Sequence, residues 1–244
     1  MRIFEITGYD VAERDGLAPL SFPGACRPDS YIWLSLTREE LRSSLPEVQS
    51  ALQTVCATQL VDLHVADLLN DQLPSHYDYT SLYDVLVFRR LAAGNGAALQ
   101  TEGEPILRGG PPVLRRIDTR PVGFAVFDRV LLSVHPVDGA VRDTYAAKLL
   151  AAATDVRSAA PALDARAVSA RVPTSPADLM LRIVNHIVDA YLDLRRELTR
   201  QLDHWQAELI DPKSRFTNWS ALMEARQSLR HLDEICEDQR GAVQ

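Results

Sequence analysis

Cysteine is scarce in this chain. Its 244 residues hold only Cys26, Cys56 and Cys236, odd in number and far apart. No CxxC or Cys/His spacing of the zinc type exists, which excludes a disulfide framework and a zinc ribbon. Reduced thiols in a reducing compartment fit instead. Long apolar runs are also missing. A helix that crosses a bilayer needs about 18 consecutive apolar residues, whereas the longest runs here, 122–127 and 130–134, have strand length. The N-terminus places Glu5 inside its only apolar patch, so it is not a signal peptide. Basic excess is absent: 26 Lys and Arg face 33 Asp and Glu, a net charge of −7. Phosphate backbones select a basic face, so no nucleic-acid partner is expected. The common catalytic signatures are absent as well: there is no P-loop, GxGxxG, GxSxG or HExxH. Gly94-Asn95-Gly96 is a turn signal without the strand-to-helix context of a phosphate cradle.

What is present is ordinary globular material, 46% hydrophobic and 24% charged, enough to bury a core without staples. Residues 2–9 read as a β-strand, 10–29 as a Gly/Pro/Asp-rich loop and 30–36 as a second strand. Thr37-Arg38-Glu39-Glu40 is a capping box that opens a short helix. Helical spacing returns at 46–58 and again at 60–70. Residues 71–80 are rich in turn formers, and 81–91 form a clear strand. Residues 92–112 read as a long glycine-rich loop or hairpin tip. A hairpin follows, with 122–127 and 130–134 flanking the turn at Asp128-Arg129. Residues 143–153 read as an alanine-rich helix, and 154–172 favour no element.

From Ser175 the pattern changes. Ser175 is a good N-cap and Pro176 a good first helical residue. Leu179, Ile183, Ile187, Tyr191, Leu194, Leu198, Leu202, Trp205 and Leu209 then form one apolar stripe on a helix of about 35 residues. Asp211-Pro212 ends it. Asn218 caps a second helix with Leu222, Ala225, Leu229, Leu232 and Cys236 in step. The expected organisation is a mixed α/β domain over 1–172, then a long antiparallel helical hairpin over 173–244.

Candidate chemistry concentrates at Asp62, His64 and Asp67. On a helix His64 and Asp67 share a face, as two ligands from one helix would, or else belong to a solvated helix surface. Catalytic zinc needs three protein ligands, and no third lies nearby in sequence. Asp71, His76, Asp78 and Asp84 surround Pro74 as turn formers and strand-edge polars, or as weak divalent-ion ligands. His186, His204 and His231 read as flank residues of the hairpin.

In order, several segments resemble the cytoplasmic domain of the CorA-type divalent-cation transporters, a family that includes the zinc transporter ZntB. They are Tyr31-Ile32-Trp33-Leu34-Ser35-Leu36, Val65-Ala66-Asp67-Leu68-Leu69-Asn70, Tyr83-Asp84-Val85-Leu86-Val87-Phe88-Arg89, the 122–135 hairpin, and the 175–209 helix with Ile187-Val188-Asp189-Ala190-Tyr191. Order and spacing carry the resemblance, which covers most of the chain. It implies an α/β/α sandwich with a mixed sheet, working as the regulatory and assembly domain of a homopentamer at the cytoplasmic face of the inner (plasma) membrane. The family's Gly-Met-Asn signature is absent. The chain is therefore expected to stop at Gln244, before the stalk and transmembrane helices that would tie it to the membrane. The domain itself is expected to be soluble.

The resemblance places Asp67 on a family aspartate that binds Mg²⁺ between subunits, its partner carboxylate lying on the neighbouring stalk. The acid that often precedes it is Ala66 here. A family acid on the first long helix falls on Asn185, with Asp189 one turn later. Asp67 and Asp189 are thus the metal-ligand candidates, for Mg²⁺ or for Zn²⁺ or Co²⁺. No tightly bound ion is expected in the isolated domain, because half the site is elsewhere. The implied activity is not enzymatic. The alternatives are an autonomous soluble scaffold that binds a partner through its hairpin, and an enzyme built on Asp62, His64 and Asp67.

Overall fold

A computed structural model describes residues 1–8, 10–14, 16, 30–92, 117–159, 172–211 and 219–244. Most of the 92–112 loop, most of the 15–29 stretch with Cys26, residues 160–171 and the Asn218 cap lie outside these residues.

Strand β3 (Ser30–Thr37) is buried along nearly its whole length. Tyr31 and Trp33 pack with Phe4 and Ile6, while Ile32, Leu34 and Leu36 pack with Ile3 on the opposite side. A strand covered on both faces carries apolar residues at successive positions rather than alternate ones. This accounts for the run Tyr-Ile-Trp-Leu. On one edge β3 pairs antiparallel with β1 (Arg2–Thr7), which pairs with β2 (Asp10–Arg14). On the other edge it pairs parallel with β7 (Val130–His135). Antiparallel neighbours β6 (Thr119–Val126), β5 (Asp84–Leu91) and β4 (His76–Tyr79) complete the order β2-β1-β3-β7-β6-β5-β4. The β6–β7 turn closes where expected, with Phe127 N donating to Val130 O at 2.9 Å.

Helices cover both faces, as the α/β/α expectation required. One face carries α1 (Arg38–Cys56) and α2 (Asp62–Leu69), through Leu41, Val48, Leu52, Val65 and Leu68. The capping box is present: Glu40 N donates to Thr37 Oγ1 at 3.2 Å and Thr37 N to Glu40 Oε2 at 2.7 Å. The expected break between two helical stretches is a kink at Ser44, two residues before Pro46. The second face carries α3 (Ala140–Ala159) and the first turns of α4 (Pro176–Ile210), where Leu179, Ile183 and Ile187 are at most 1% exposed. Ser175 caps α4 by accepting from Asp178 N at 3.1 Å.

Farther along, the α4 stripe turns to α5 (Trp219–Val243), with Leu198, Trp205 and Ala225 at the centre of a separate cluster. The α5 helix runs back to the sheet. There Gln239 Nε2 donates to the Arg89 carbonyl at 2.7 Å, and Tyr191 OH donates to the same oxygen at 2.9 Å. The antiparallel hairpin expected from the sequence is therefore formed, and both its helices end up fixed to β5.

Two segments differ from their sequence reading. Residues 10–14, read as loop, pair with β1, and residues 76–79, read as turn, pair with β5. Both are edge strands. Their exposed, polar residues blunt the edge and also hide the strand pattern.

Gly123 lies beneath α2: a Cβ there would overlap Leu68 Cδ2, and the Leu68 Cα is 3.7 Å away. Leu68 is 1% exposed and has little room to move. Gly123→Ala should therefore lower unfolding stability by about 1–3 kcal/mol, measured in urea.

His135 ends β7 at 1% exposure, its Nε2 2.9 Å from Ser133 Oγ, which also accepts from Trp33 Nε1. Burial pushes its imidazole down to about 3, and Arg142, Arg90 and Arg38 push the same way. An unfolded histidine titrates near 6.5, so between about pH 6.5 and about 3 the unfolded state binds the extra proton. This group's stability is thus complete above 6.5 and is lost as pH falls, by at most ~1.4 kcal/mol per pH unit. Stability measured at about pH 7, 6 and 5 should decline, and His135→Asn should flatten the decline.

Candidate functional site

The α2 helix has no side-chain cap at Val61. Neighbouring segments hold its start instead. Gln49 bonds both backbone groups of Leu60, at 2.8 and 2.9 Å, and Val61 N donates to Tyr83 OH at 2.9 Å. Val65 and Leu68 anchor the helix in the core. Their direction decides what each polar side chain of α2 can reach.

His64 turns inward with them and is 4% exposed. Its Nδ1 lies 2.9 Å from Tyr83 OH and its Nε2 3.2 Å from Asp78 Oδ2. Because the Tyr83 oxygen accepts from Val61 N, its proton goes to His64 Nδ1, leaving His64 Nε2–H to donate to Asp78. The Tyr83 ring meets the imidazole edge-on, with centroids 5.5 Å apart. Asp78 also accepts from Tyr79 N at 2.8 Å. That backbone bond first, and His64 second, hold its carboxyl below the ordinary value. This chain of bonds pins α2 to β4 and β5. It occupies both ring nitrogens of His64.

Asp67 sits on the flank of α2. Its carboxylate is half-buried and faces His76 of β4, with Oδ2 3.9 Å from His76 Nε2. His76 Nδ1 lies 3.2 Å from Pro74 O, which accepts its proton and leaves Nε2 free to act as a donor atom. A tetrahedral ion with bonds of about 2 Å holds its ligands about 3.3 Å apart, so these two atoms would have to close by about 0.6 Å to share one. Asp62 stands exposed in the first turn. The trio Asp62, His64 and Asp67 therefore does not converge: one is exposed, one is committed to the core, and one faces β4. The sequence placed His64 and Asp67 on a common face, whereas the actual neighbour of Asp67 is His76.

The acids around Pro74 are similarly dispersed. Asp71 accepts from Gln72 Nε2 at 3.1 Å, and Asp84 from Tyr77 OH at 3.0 Å. Asp189 is exposed on α4, across the sheet from α2, so within one chain it cannot share an ion with Asp67. Near it His186 lies 3.5 Å from Lys148 Nζ. Among the described residues no three His, Cys, Asp or Glu side chains gather as metal ligands, and no helix is long and apolar enough to cross a membrane. The sequence linked His76 to Asp71 and Asp78 rather than to Asp67, because that contact depends on β4 being a strand.

No protein-family model matches the chain, and no curated protein matches it. Solved structures do. Full-length CmaX aligns with 98% of this chain at 16% identity and a TM-score of 0.59, which establishes a common fold. The chain spans 61% of the CmaX chain. The ZntB cytoplasmic domain from Vibrio parahaemolyticus RIMD 2210633 aligns with 98% of this chain and 90% of its own, at 14% identity and a TM-score of 0.41. The soluble domain of CorA from Methanocaldococcus jannaschii aligns over 99% and 93%, at 12% identity and a TM-score of 0.44. The common fold rests on CmaX.

Tyr83→Phe removes the oxygen shared by Val61 N and His64 Nδ1. Leaving buried polar groups unpaired costs about 1–3 kcal/mol, so the variant should lose that much in chemical denaturation while keeping its far-ultraviolet circular dichroism.

Proposed function

We propose that this chain is the cytoplasmic regulatory and assembly domain of a homopentameric, CorA-like divalent-cation transporter. The sequence is divided at about residue 172 between a sensing sheet domain and a hairpin leading toward the stalk. The carrying observation is Asp67 Oδ2 facing His76 Nε2 at 3.9 Å: two donor atoms, partly open to solvent, of which Asp67 lies on the segment whose motif resembles the family's cation-binding one and His76 on β4. Two donors do not complete a coordination sphere, and hard cations take six or more oxygens. The remainder would come from water and a neighbouring subunit. Cation bound there would screen acidic surfaces and hold the closed assembly, and its loss would let like charges separate the domains. The net charge of −7 suits that response.

Mg²⁺ fits the carboxylate, and the imidazole adds affinity for Zn²⁺ or Co²⁺. Leu181, Val188 and Leu192 lie exposed along α4. In this reading they meet another copy of the chain. In the alternative, an autonomous scaffold, they meet a different protein.

In the whole protein that carries this domain, Asp67→Asn should weaken the protection that Mg²⁺ gives against proteolysis. Unchanged protection would remove Asp67 from the sensing role. In the isolated chain calorimetry should find only weak binding, and tight stoichiometric Mg²⁺ binding would contradict a shared site.

A further inference from the structure

A cavity lies at the carboxyl end of the only parallel strand pair among the described residues. β3 and β7 finish side by side at Thr37 and His135. From β3 the chain passes into α1 on one face of the sheet, and from β7 toward α3 on the other. Adjacent parallel strands whose helices part in this way open a crevice beyond their ends, the usual ligand position in open α/β sheets. Here the crevice is a cavity of about 600 Å³, between the start of α1, the turn after β7, the start of β6 and the α2–β4 connection. That volume suits a small molecule.

Its wall contains Arg38, only 9% exposed. The side chain crosses the end of β7 and donates through Nη2 to the Pro121 carbonyl. Its Nε has no hydrogen-bond partner among the described residues. A guanidinium keeps its charge at every accessible pH, and a buried charge that no carboxylate bonds directly is costly. The surroundings aggravate the cost. Burial, and then Arg89, Arg120 and Arg90, draw Arg38 below its ordinary value, with Asp71 opposing. The four carboxylates that line the cavity are engaged or outward. Asp138 is taken by Arg90, Asp118 lies 3.8 Å from Arg120, and Glu39 and Asp71 are exposed. Arg42 and Arg120 line the cavity as well. The positive end of the α1 dipole adds to the same field.

We propose that this cavity binds a small phosphate monoester, its phosphate against the guanidinium of Arg38 beside Arg42 and Arg120. A planar guanidinium suits two phosphate oxygens at once. The volume exceeds that of phosphate alone, and the carboxylates at the mouth accept hydrogen bonds. The rest of the ligand therefore carries hydroxyl or amino groups. No bond is made or broken, and neither Asp67 nor His76 lines the cavity.

The test is calorimetry and thermal unfolding of the purified chain with inorganic phosphate and ribose 5-phosphate, against sodium chloride at equal ionic strength. Both ligands should bind and raise the melting temperature, the sugar phosphate more. Arg38→Met should abolish the response without lowering the ligand-free melting temperature, because it removes a buried charge only partly offset by Asp71. Arg120→Gln changes an exposed side chain, keeps the fold and should weaken binding about tenfold. The proposal is overturned if millimolar ligand has no effect beyond that of chloride, or if Arg38→Met responds like the parent. Should Arg38→Met fail to fold, the parent response and its loss in Arg120→Gln decide. An unchanged affinity in Arg120→Gln would then count against the site.

Discussion

β3 and β7 pair in parallel although roughly ninety residues separate them. Closing a loop of that size costs about 4 kcal/mol beyond a constant term, and the hydrogen bonds of one strand pair do not offset it alone. Burial on both faces does. Trp33 is fully buried, stacks on Phe4 with centroids 4.8 Å apart and donates to Ser133 of β7 at 2.8 Å. On the reverse side Ile32 and Leu34 share a cluster with Leu132 and Val134. Everything else is arranged around this pair. It sets the centre of the sheet, sends α1 and α3 to opposite faces, and creates the crevice at the strand ends.

Much of this frame was legible in the sequence because its signals are local. The Thr37–Glu40 box, the Asp128-Arg129 turn and the Ser175-Pro176 start each depend on neighbours within four residues. The α4 stripe was legible because a helix of that length repeats its pattern many times. Edge strands were not. Asp10–Arg14 and His76–Tyr79 are short and half solvated, so their residues satisfy the rules for loops equally well. Missing β4 had a direct consequence at the site. A spacing of three residues relates His64 to Asp67, but only the positions of Val65 and Leu68 decide which side chain enters the core. Only the pairing of β4 with β5 brings His76 to Asp67. Arg38 shows the same limit. In sequence it belongs to the first turn of a capped helix, normally a solvated place, and its burial depends on Pro121, 83 positions away.

Beyond the apolar packing of α4 on the sheet, both hairpin helices bond to one backbone carbonyl of β5. Arg89 O accepts from Tyr191 of α4 and Gln239 of α5. The same residue donates from its backbone to Ser75 Oγ at 3.0 Å and from its guanidinium to Thr119 O at 2.7 Å and Leu73 O at 2.8 Å. One residue of β5 thus holds both hairpin helices, the start of β6 and the connection leading to β4. That connection runs on to His76, which faces Asp67. The Asp67 flank of α2 and the base of the hairpin are therefore linked through Arg89 and its bonded neighbours.

The Asp67 flank and the Arg38 cavity also present opposite electrostatic problems. A cation approaching Asp67 moves down the long-range field of a chain with a net charge of −7, yet meets only two donor atoms. Attraction there is easy, and retention needs further ligands. An anion approaching Arg38 moves against that field, which salt screens beyond about 8–10 Å. It then meets a buried guanidinium that Asp71 partly offsets and that Arg89, Arg120 and Arg90 oppose. Entry is opposed at long range and favoured only at contact, where the dielectric is low and each hydrogen bond is strong. Such a site discriminates by fit rather than by steering. Adding salt should therefore have opposite effects on the two encounters, slowing cations toward α2 and easing anions toward the strand ends.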